Sequence, residues 1–435
     1  MSTIPKHMVQ LRSWGNYPKV LSQLHYINSE KIPSSLSNKE YVPYGNGRSY
    51  GDCALQIDSI QTIKSNKIIS FDLEKGIFRC QSGILLSDIL KRIIPEKWFL
   101  PVTPGTKYIT IGGAIASDVH GKNHHKKGCF SDHIISLQLL LPDGTIITCS
   151  KTKNIEIFKA TCGGMGLTGI ILQATIQLIP IKSAFIDQQV LQVKNLENIF
   201  ETFDKYKNAT YSVAWIDATT KTSELGKGLF FIGEHANDQN FSFSFKQKIS
   251  IPKWFPSFLL NPFSIKLYNK YYYRKFLQVS EKISIDTFFY PLDAIKNWNR
   301  IYGTKGFLQY QVIIPKENSF KGMGELLLAV ASSQHTSYLT VLKSLGKENE
   351  NLLSFPLEGY TIAMDFKIKK GLLEFLEQLD KIVLQYGGRG YMAKDVRMSK
   401  DFFEAGYSKI KKFKNLRKQY NLEQLQSLQS KRLGL

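Results

Sequence analysis

The stretch PVTPGTKYITIGGAIASDVHG, Pro101–Gly121, decides how the rest of the chain is read. It holds Gly105, Gly112, Gly113, Ala114, Ala116, Ser117 and Gly121, too many small residues for an ordinary packed core. Glycine adopts backbone conformations closed to other residues and lets a ligand touch the main chain. Pro101 and Pro104 lead into a turn at Gly105, and His120, Lys122, His124 and His125 follow at once. A small-residue cradle running into a cationic, titratable cluster predicts a cofactor seat with chemistry at its mouth. The plainer alternative is a glycine-rich surface loop with incidental histidines.

Upstream, YVPYGNGRSYGDCAL (Tyr41–Leu55) spaces Gly45, Gly47 and Gly51 as G-x-G-x-x-x-G. That misses the dinucleotide fingerprint by one residue. Strand signals follow it, at Ile68–Ser70 and Gly76–Gly83, where the fingerprint requires a helix. The NAD-type Rossmann reading fails. A loop of exposed N–H groups still suits a pyrophosphate, and Arg48 adds charge. SDILKRIIPEK predicts a helix capped by Ser87 and stopped at Pro95. HIISLQLLLPDGTIITCS predicts two strands joined at Asp143-Gly144. A third glycine cluster, Gly163, Gly164, Gly166 and Gly169, precedes the alternating strand GIILQATIQLI. Three glycine turns set between short strands predict an α+β module for a long ligand.

Composition narrows the partners. Over 435 residues, 57 Lys+Arg against 36 Asp+Glu give a formal net charge of +21, which favours an anionic partner. The five cysteines form no CxxC pair, so reduced thiols are expected. MSTIPKHMVQLRSWG lacks the apolar core of a secretory signal, and no run is long enough to span a bilayer. A cytoplasmic protein, free or peripheral on the inner membrane, is expected. The basic tail from Lys409 predicts a solvated helix; no nucleic-acid-reading motif accompanies it, so nucleic acid is not an expected partner. His120, His124 and His125 lack a carboxylate or thiol at ligand spacing, so no metal is expected.

From about Lys182 to Gly388, strands such as Gly228–His235, Gly306–Pro315 and Tyr360–Ile368 alternate with helix patterns. The pattern predicts a half-buried sheet with helices on one face and a ligand on the other. Gln309 and Gln311 fall on one face of one strand. Between Phe241 and Phe276, aromatics are interleaved with lysines and prolines. That composition suits a membrane contact, a greasy lid or packed core with basic flanks.

PYGNGRSYGD, PVTPGTKYITIGGAIASDVHGKNHH and GGMGLTGIIL resemble the flavin-binding domain of the vanillyl-alcohol-oxidase (PCMH-type) family. YSVAWID, GFLQYQVIIP, LSFPLEGYTIAMDF and GYMAKDVR extend the resemblance over nearly the whole chain. Within the family these blocks are most similar to the oxidase subunits of decaprenylphosphoryl-β-D-ribose 2-epimerases. The resemblance implies an α+β, two-domain flavoprotein. Residues 1–181 would form the FAD-binding domain and 182–388 a substrate (cap) domain with a mixed or antiparallel sheet covered by helices. Residues 389–435 would return to the FAD domain.

The resemblance also implies residue roles. FAD would be held by Gly45, Asn46, Gly47, Arg48, Ser49, Tyr50 and Gly51 of the first turn. The cradle would add Pro104, Gly105, Thr110, Ile111, Gly112, Gly113, Ser117, Asp118 and His120. Gly166, Gly169 and Ile170 would come from the third turn, and Tyr391 from the returning segment. Lys394, His120 and Lys122 would be catalytic; Gln309, Gln311, Trp215, Thr361 and Lys394 would meet substrate. Whether the hydroxyl proton goes to His120, a lysine or water stays open.

The implied reaction oxidises the ribose 2-hydroxyl of a polyprenylphosphoryl-β-D-ribose to a 2-keto intermediate. The implied partners are that polyprenyl-phosphate-linked sugar, a separate NADH-dependent ketoreductase and a membrane surface. An aldonolactone- or alditol-type oxidase of a soluble sugar is the alternative enzyme. A non-catalytic basic protein that binds membrane or nucleic acid is the alternative of another class.

Two positions depart from related patterns. Ala363 stands in YTIAMDF where close relatives attacked by nitroaromatic inhibitors carry a cysteine. Tyr50 stands where many relatives carry the histidine that bonds the flavin covalently. Non-covalent FAD is therefore expected: acid precipitation should release all yellow colour into the supernatant, and colour in the pellet would contradict it.

Overall fold

Short runs of alternating apolar residues favour strands over long helices in the N-terminal part of the chain. The computed structural model describes residues 8–27, 30–245, 249–276 and 279–435. Residues 1–7, part of the stretch read as lacking a secretory signal, lie outside the described residues.

The first 180 residues hold two sheets of four and five strands. One has the order Met8–Arg12, Lys19–Tyr26, Asp58–Gln61, Tyr41–Tyr44; the other has the order Ile68–Asp72, Ile77–Gln81, Ile170–Gln177, Ile134–Leu140, Ile146–Ser150. Tyr41–Tyr44 and Asp58–Gln61 run parallel, so the glycine turn after Tyr44 leaves the end of a buried strand. The Asp143-Gly144 turn joins its two strands as expected, with Gly144 at φ +87.

Ser87 is not a helix cap. The helix spans Leu86–Ile93, and its N-cap is Leu85. Leu86 N–H donates to Ile109 O (2.9 Å) and Ser87 N–H to Lys107 O (2.9 Å). The cradle's own backbone thus satisfies the first-turn donors that a side chain would otherwise meet.

The second half builds an eight-stranded antiparallel sheet. Its order is Val279–Ser284, Phe185–Val193, Gly228–His235, Tyr211–Ile216, Ser337–Leu345, Gly359–Lys367, Phe307–Pro315, Arg389–Gly390. Helices Leu196–Lys205, Lys316–Ser332 and Leu372–Gln385 cover one face with Ile199, Phe203, Leu326, Leu327, Leu376 and Val383. On the opposite face Gln309, Gln311, Lys343 and Ala363 line a cavity. Val190, Trp215 and Leu229 pack there with Tyr272, Tyr273 and Phe276 from helix Pro262–Lys275 and its end.

The last strand, Arg389–Gly390, is only two residues long. It pairs with Val312 and Ile313, and the chain then returns to the first sheet. There Tyr41 N–H donates to Gln424 O and Gln426 N–H to Tyr41 O, both 2.9 Å. The basic tail helix Ile410–Gln419 is solvated on one side only. Ile410, Phe413 and Leu416 recur at helical spacing and are buried.

A buried lysine ties the cradle to the cap. Lys107 is 1% exposed; its Nζ is 2.5 Å from Asp286 Oδ1 and 3.9 Å from Asp293 Oδ2. Its N–H also donates to Asp293 Oδ2 (2.9 Å), and Thr106 Oγ1 donates to the same carboxylate. Removing the cation leaves two carboxylates without their counterion in a low-dielectric site. Lys107→Met should lower the unfolding free energy by about 3–5 kcal/mol in urea titrations; a loss below about 1 kcal/mol would show the tie to be incidental.

Candidate active site

Three turns far apart in sequence close around one cavity of about 450 Å³. In the first, Gly47 has φ +60, and a Cβ there would sit 2.2 Å from Tyr44 Oη. Only glycine lets that turn fold back on its own strand. In the second, Thr110 Oγ1 accepts from Gly113 N–H (3.1 Å) and caps helix Ile111–Ala116. A Cβ on Gly45 would meet the same Oγ1 at 2.7 Å, so the first turn packs directly on the second. In the third, Gly166 at φ +81 lies against the Pro43 ring.

The opposite wall comes from the large sheet and the returning segment. Leu339, Val341 and Lys343 line the cavity from one strand, Gln309 and Gln311 from another, and Ala363 from the strand between them. Tyr391 N–H donates to Gln311 O (2.9 Å), which fixes where the returning chain crosses. Three residues on, Lys394 Nζ sits 3.5 Å from the Tyr50 ring centroid. Tyr50 N–H donates to Ala393 O (3.1 Å), and Asp52 N–H to Asp395 O (3.4 Å). The first glycine turn and the lysine loop are therefore joined backbone to backbone.

Burial sets the protonation states. It pushes Lys394 down to about 7 and Lys343 down to about 8. For Lys394, burial outweighs the nearby Asp365 carboxylate, which acts the other way. Asp365 is itself pushed up to about 6 by burial, while it accepts from Gln309 Nε2 (2.6 Å) and Tyr302 Oη (3.3 Å). His120 lies well below the usual imidazole range, through burial first and then Lys343, His124 and Lys394. Its Nε2 accepts from Gln311 Nε2 (3.1 Å).

Most of the residues expected at a site converge. Gly45, Asn46, Gly47, Arg48, Ser49 and Tyr50 line the cavity, as do Pro104, Gly105, Thr110, Gly112, Gly113, Ser117 and His120. Gly166, Gly169, Gln309, Gln311, Tyr391 and Lys394 complete the set.

Seven expected residues do not line it. Gly51 packs against the Asp395 carbonyl, and Ile111 and Ile170 point into core. Asp118 is fully buried as a staple, accepting from Ser131 N–H, Asn349, Asn351 and Ser354. Lys122 lies over the Phe288 ring with its ammonium on Phe288 O. Trp215 packs edge-on to Tyr272 (5.0 Å) under helix Pro262–Lys275. Thr361 Oγ1 donates to Val312 O (2.9 Å) and accepts from Gln311, so it stands behind a lining residue.

Lys343 also lines the cavity, outside every motif block. Its signal is a lysine continuing the Leu339, Val341 alternation toward the ligand face. Ser82, Trp14 and Asp293 also line the cavity and carry no motif.

Comparison with known proteins agrees with this geometry. Residues 34–150 match a family model described as an FAD binding domain. The decaprenylphosphoryl-β-D-ribose oxidase of Mycolicibacterium smegmatis is 35% identical over 96% of this chain and 96% of its own length. The chain belongs to the PCMH-type FAD-binding oxidoreductases. More distantly, the L-gulonolactone oxidase of Bos taurus is 26% identical over 49% of each chain. A xylooligosaccharide oxidase from Myceliophthora thermophila, solved with xylobiose, superposes at TM-score 0.66 with 12% identity, covering 92% of this chain and 88% of that one. At that identity the likeness concerns fold. It agrees with the α+β, two-domain expectation.

FAD is the cofactor of this family, and the cavity suits it. Three lining residues bury polar atoms that have no partner within the protein: Arg48 Nε, Ser82 Oγ and His120 Nδ1. Unpaired buried donors are costly, and a polar ligand meets that need. The Arg48 guanidinium lies 4.1 Å from the Trp14 ring centroid beside the first turn, a cation that could meet an anionic group there. Among the described residues no cluster of metal-ligating side chains occurs.

The joint between the first turn and the lysine loop is testable at Gly51. A Cβ there would fall 1.6 Å from Asp395 O, a backbone atom. Gly51→Ala should part the two loops and lower the FAD-to-protein ratio on purification, read by visible absorbance; full occupancy would disprove the joint's role.

Proposed function

We propose that the protein oxidises the 2-hydroxyl of the ribose in a polyprenylphosphoryl-β-D-ribose to the ketone, with FAD held non-covalently. The observation that carries this reading is Lys394, a buried lysine with its pKa near 7, in a cavity that also offers Lys343 and two glutamines. The near full-length similarity to an oxidase of that substrate supports it.

Bound FAD, cradled by the glycine turns with Arg48 and Ser82, supplies the hydride acceptor. Neutral Lys394 takes the hydroxyl proton at Nζ. The resulting ammonium is balanced by Asp365 and rests on the Tyr50 face. His120 is not the proton acceptor: its Nε2 already accepts from Gln311, and its surroundings keep it neutral. It orients Gln311. Asp365 holds the Gln309 amide through Nε2, leaving Oε1 to accept from a sugar hydroxyl. Lys343, still mostly protonated at neutral pH, binds the substrate phosphate. A separate NADH-dependent ketoreductase then completes the epimerisation. Since a polyprenyl tail keeps the sugar in a bilayer, the enzyme works at a membrane surface on the cytoplasmic side.

The pH profile tests the roles. Turnover should rise with pH through about 7 as Lys394 loses its proton, and kcat/KM should fall through about 8 as Lys343 loses its charge. Lys394→Gln should keep its FAD and lower kcat by about 10²–10⁴-fold. Lys343→Gln should raise KM and remove the alkaline limb. Equal, salt-insensitive turnover of free sugar without phosphate would refute the proposal in favour of a soluble-sugar oxidase.

A further inference from the structure

We infer that residues 249–275 form a docking surface for an anionic lipid bilayer and hold the cavity mouth at the headgroups. Trp254, Phe258 and Phe263 are 81%, 73% and 78% exposed, and Leu259, Leu267 and Tyr271 are exposed beside them. Elsewhere among the described residues, large exposed apolar side chains are more widely spread along the chain. With Tyr268, seven fall within 18 residues and make an apolar patch, and such patches mark interaction sites.

The helix Pro262–Lys275 cannot hide this face by rolling over. Its N-terminus is fixed by Asn261 Oδ1, which accepts from Phe263 N–H (3.0 Å) and Ser264 N–H (3.1 Å). Its inner side is fixed by buried Ile265 and by Asn269, whose Nδ2 donates to Asp217 Oδ1 (2.7 Å). With Ile265 and Asn269 inward, Phe263, Leu267 and Tyr271 recur every fourth residue on the outer side. Lys266, Lys270 and Arg274 run beside them at the same interval, all exposed.

Charge selects the occupant. Between Ile249 and Phe276 there are five cations, Lys253, Lys266, Lys270, Arg274 and Lys275, and no Asp or Glu. Aromatics flanked by cations without acidic relief match the boundary between acyl chains and anionic headgroups. A protein partner of mixed charge would find no complement to its own cations here.

The patch is continuous with the cavity rim. Ile249–Ser250 pairs with Ile295–Lys296, Ile251 N–H donates to Lys296 O (3.0 Å), and Arg300 Nη1 donates to Ile251 O (3.0 Å). Ile295, Lys296 and Trp298 line the cavity, and Leu260 packs on the cluster of Trp298, Tyr302 and Phe307. A tail leaving the cavity past Trp298 therefore meets the apolar patch before it meets open water.

Sedimentation of the holoenzyme with vesicles tests this surface independently of the substrate. Wild type should pellet with phosphatidylcholine–phosphatidylglycerol vesicles and far less with phosphatidylcholine alone. The triple variant Trp254→Ser, Phe258→Ser, Phe263→Ser should lose at least ~10-fold in partitioning. Lys266→Glu, Lys270→Glu, Arg274→Glu should lose on the order of 100-fold, and only on the anionic vesicles. If the first variant loses its FAD, the second, confined to exposed side chains, gives the reading by itself. Wild type left in the supernatant, or both variants pelleting like wild type, overturns the proposal. Turnover of the phosphorylated ribose in detergent is unaffected by that failure, so the two proposals fall separately.

Discussion

The site depends on one joint, the seam between the glycine turn at 45–52 and the loop carrying Lys394. Two backbone hydrogen bonds, Tyr50 N–H to Ala393 O and Asp52 N–H to Asp395 O, close it. Gly51 allows the approach, since no side chain fits against the Asp395 carbonyl. Arg432, near the chain's end, bolts the seam from outside: Nη2 donates to Asp52 Oδ1 (2.8 Å) and Asp395 Oδ2 (3.0 Å), and Nη1 to Met398 O (2.6 Å). Behind the loop, Arg397 grips Asp380 through two hydrogen bonds of 2.6 and 2.7 Å. Such bidentate pairs hold geometry as well as charge. The loop carrying Lys394 is thus held by hydrogen bonds on both of its sides.

A second constraint is electrostatic. Lys343 and Lys394 share a cavity walled largely by sheet and aromatic rings, where charging either one is opposed by burial. The protein supplies one buried carboxylate, Asp365, close enough to favour the Lys394 ammonium without restoring its ordinary pKa. That balance brings Lys394 down to about 7 and leaves Lys343, at about 8, the more readily charged of the two. Burial first, and then Lys343, His124 and Lys394, hold His120 well below the usual imidazole range. Burial and the local field, more than residue type, set the proton affinities of these three basic groups.

The large sheet gives each face a different task. Helices seal one face with aliphatic side chains, while the other is shared between the cavity and helix Pro262–Lys275. Because alternate residues on a strand point to opposite faces, core packing and ligand contact are written into the same strands. Phe307–Pro315 buries Leu308, Val312 and Ile314 and turns Gln309 and Gln311 to the cavity.

Much was legible in the sequence because glycine and alternation are local signals. The three glycine turns, the Asp143-Gly144 hairpin and the paired glutamines follow from backbone sterics and the two-residue period of a strand. The motif blocks at 43–52, 101–125 and 390–397 carried the family and its flavin. Side-chain destinations were another matter. Lys122 and Trp215 sit in blocks that resemble site motifs, yet one lies on Phe288 and the other under a helix. Gly51 serves the seam and Asp118 staples a distant loop. Lys343 lines the cavity from a strand with no motif at all. The sequence by itself determined where the backbone must bend and which faces must be buried. Only the tertiary structure decided which cations share a cavity and how burial divides their protons, because burial and field are sums over neighbours that no local stretch contains.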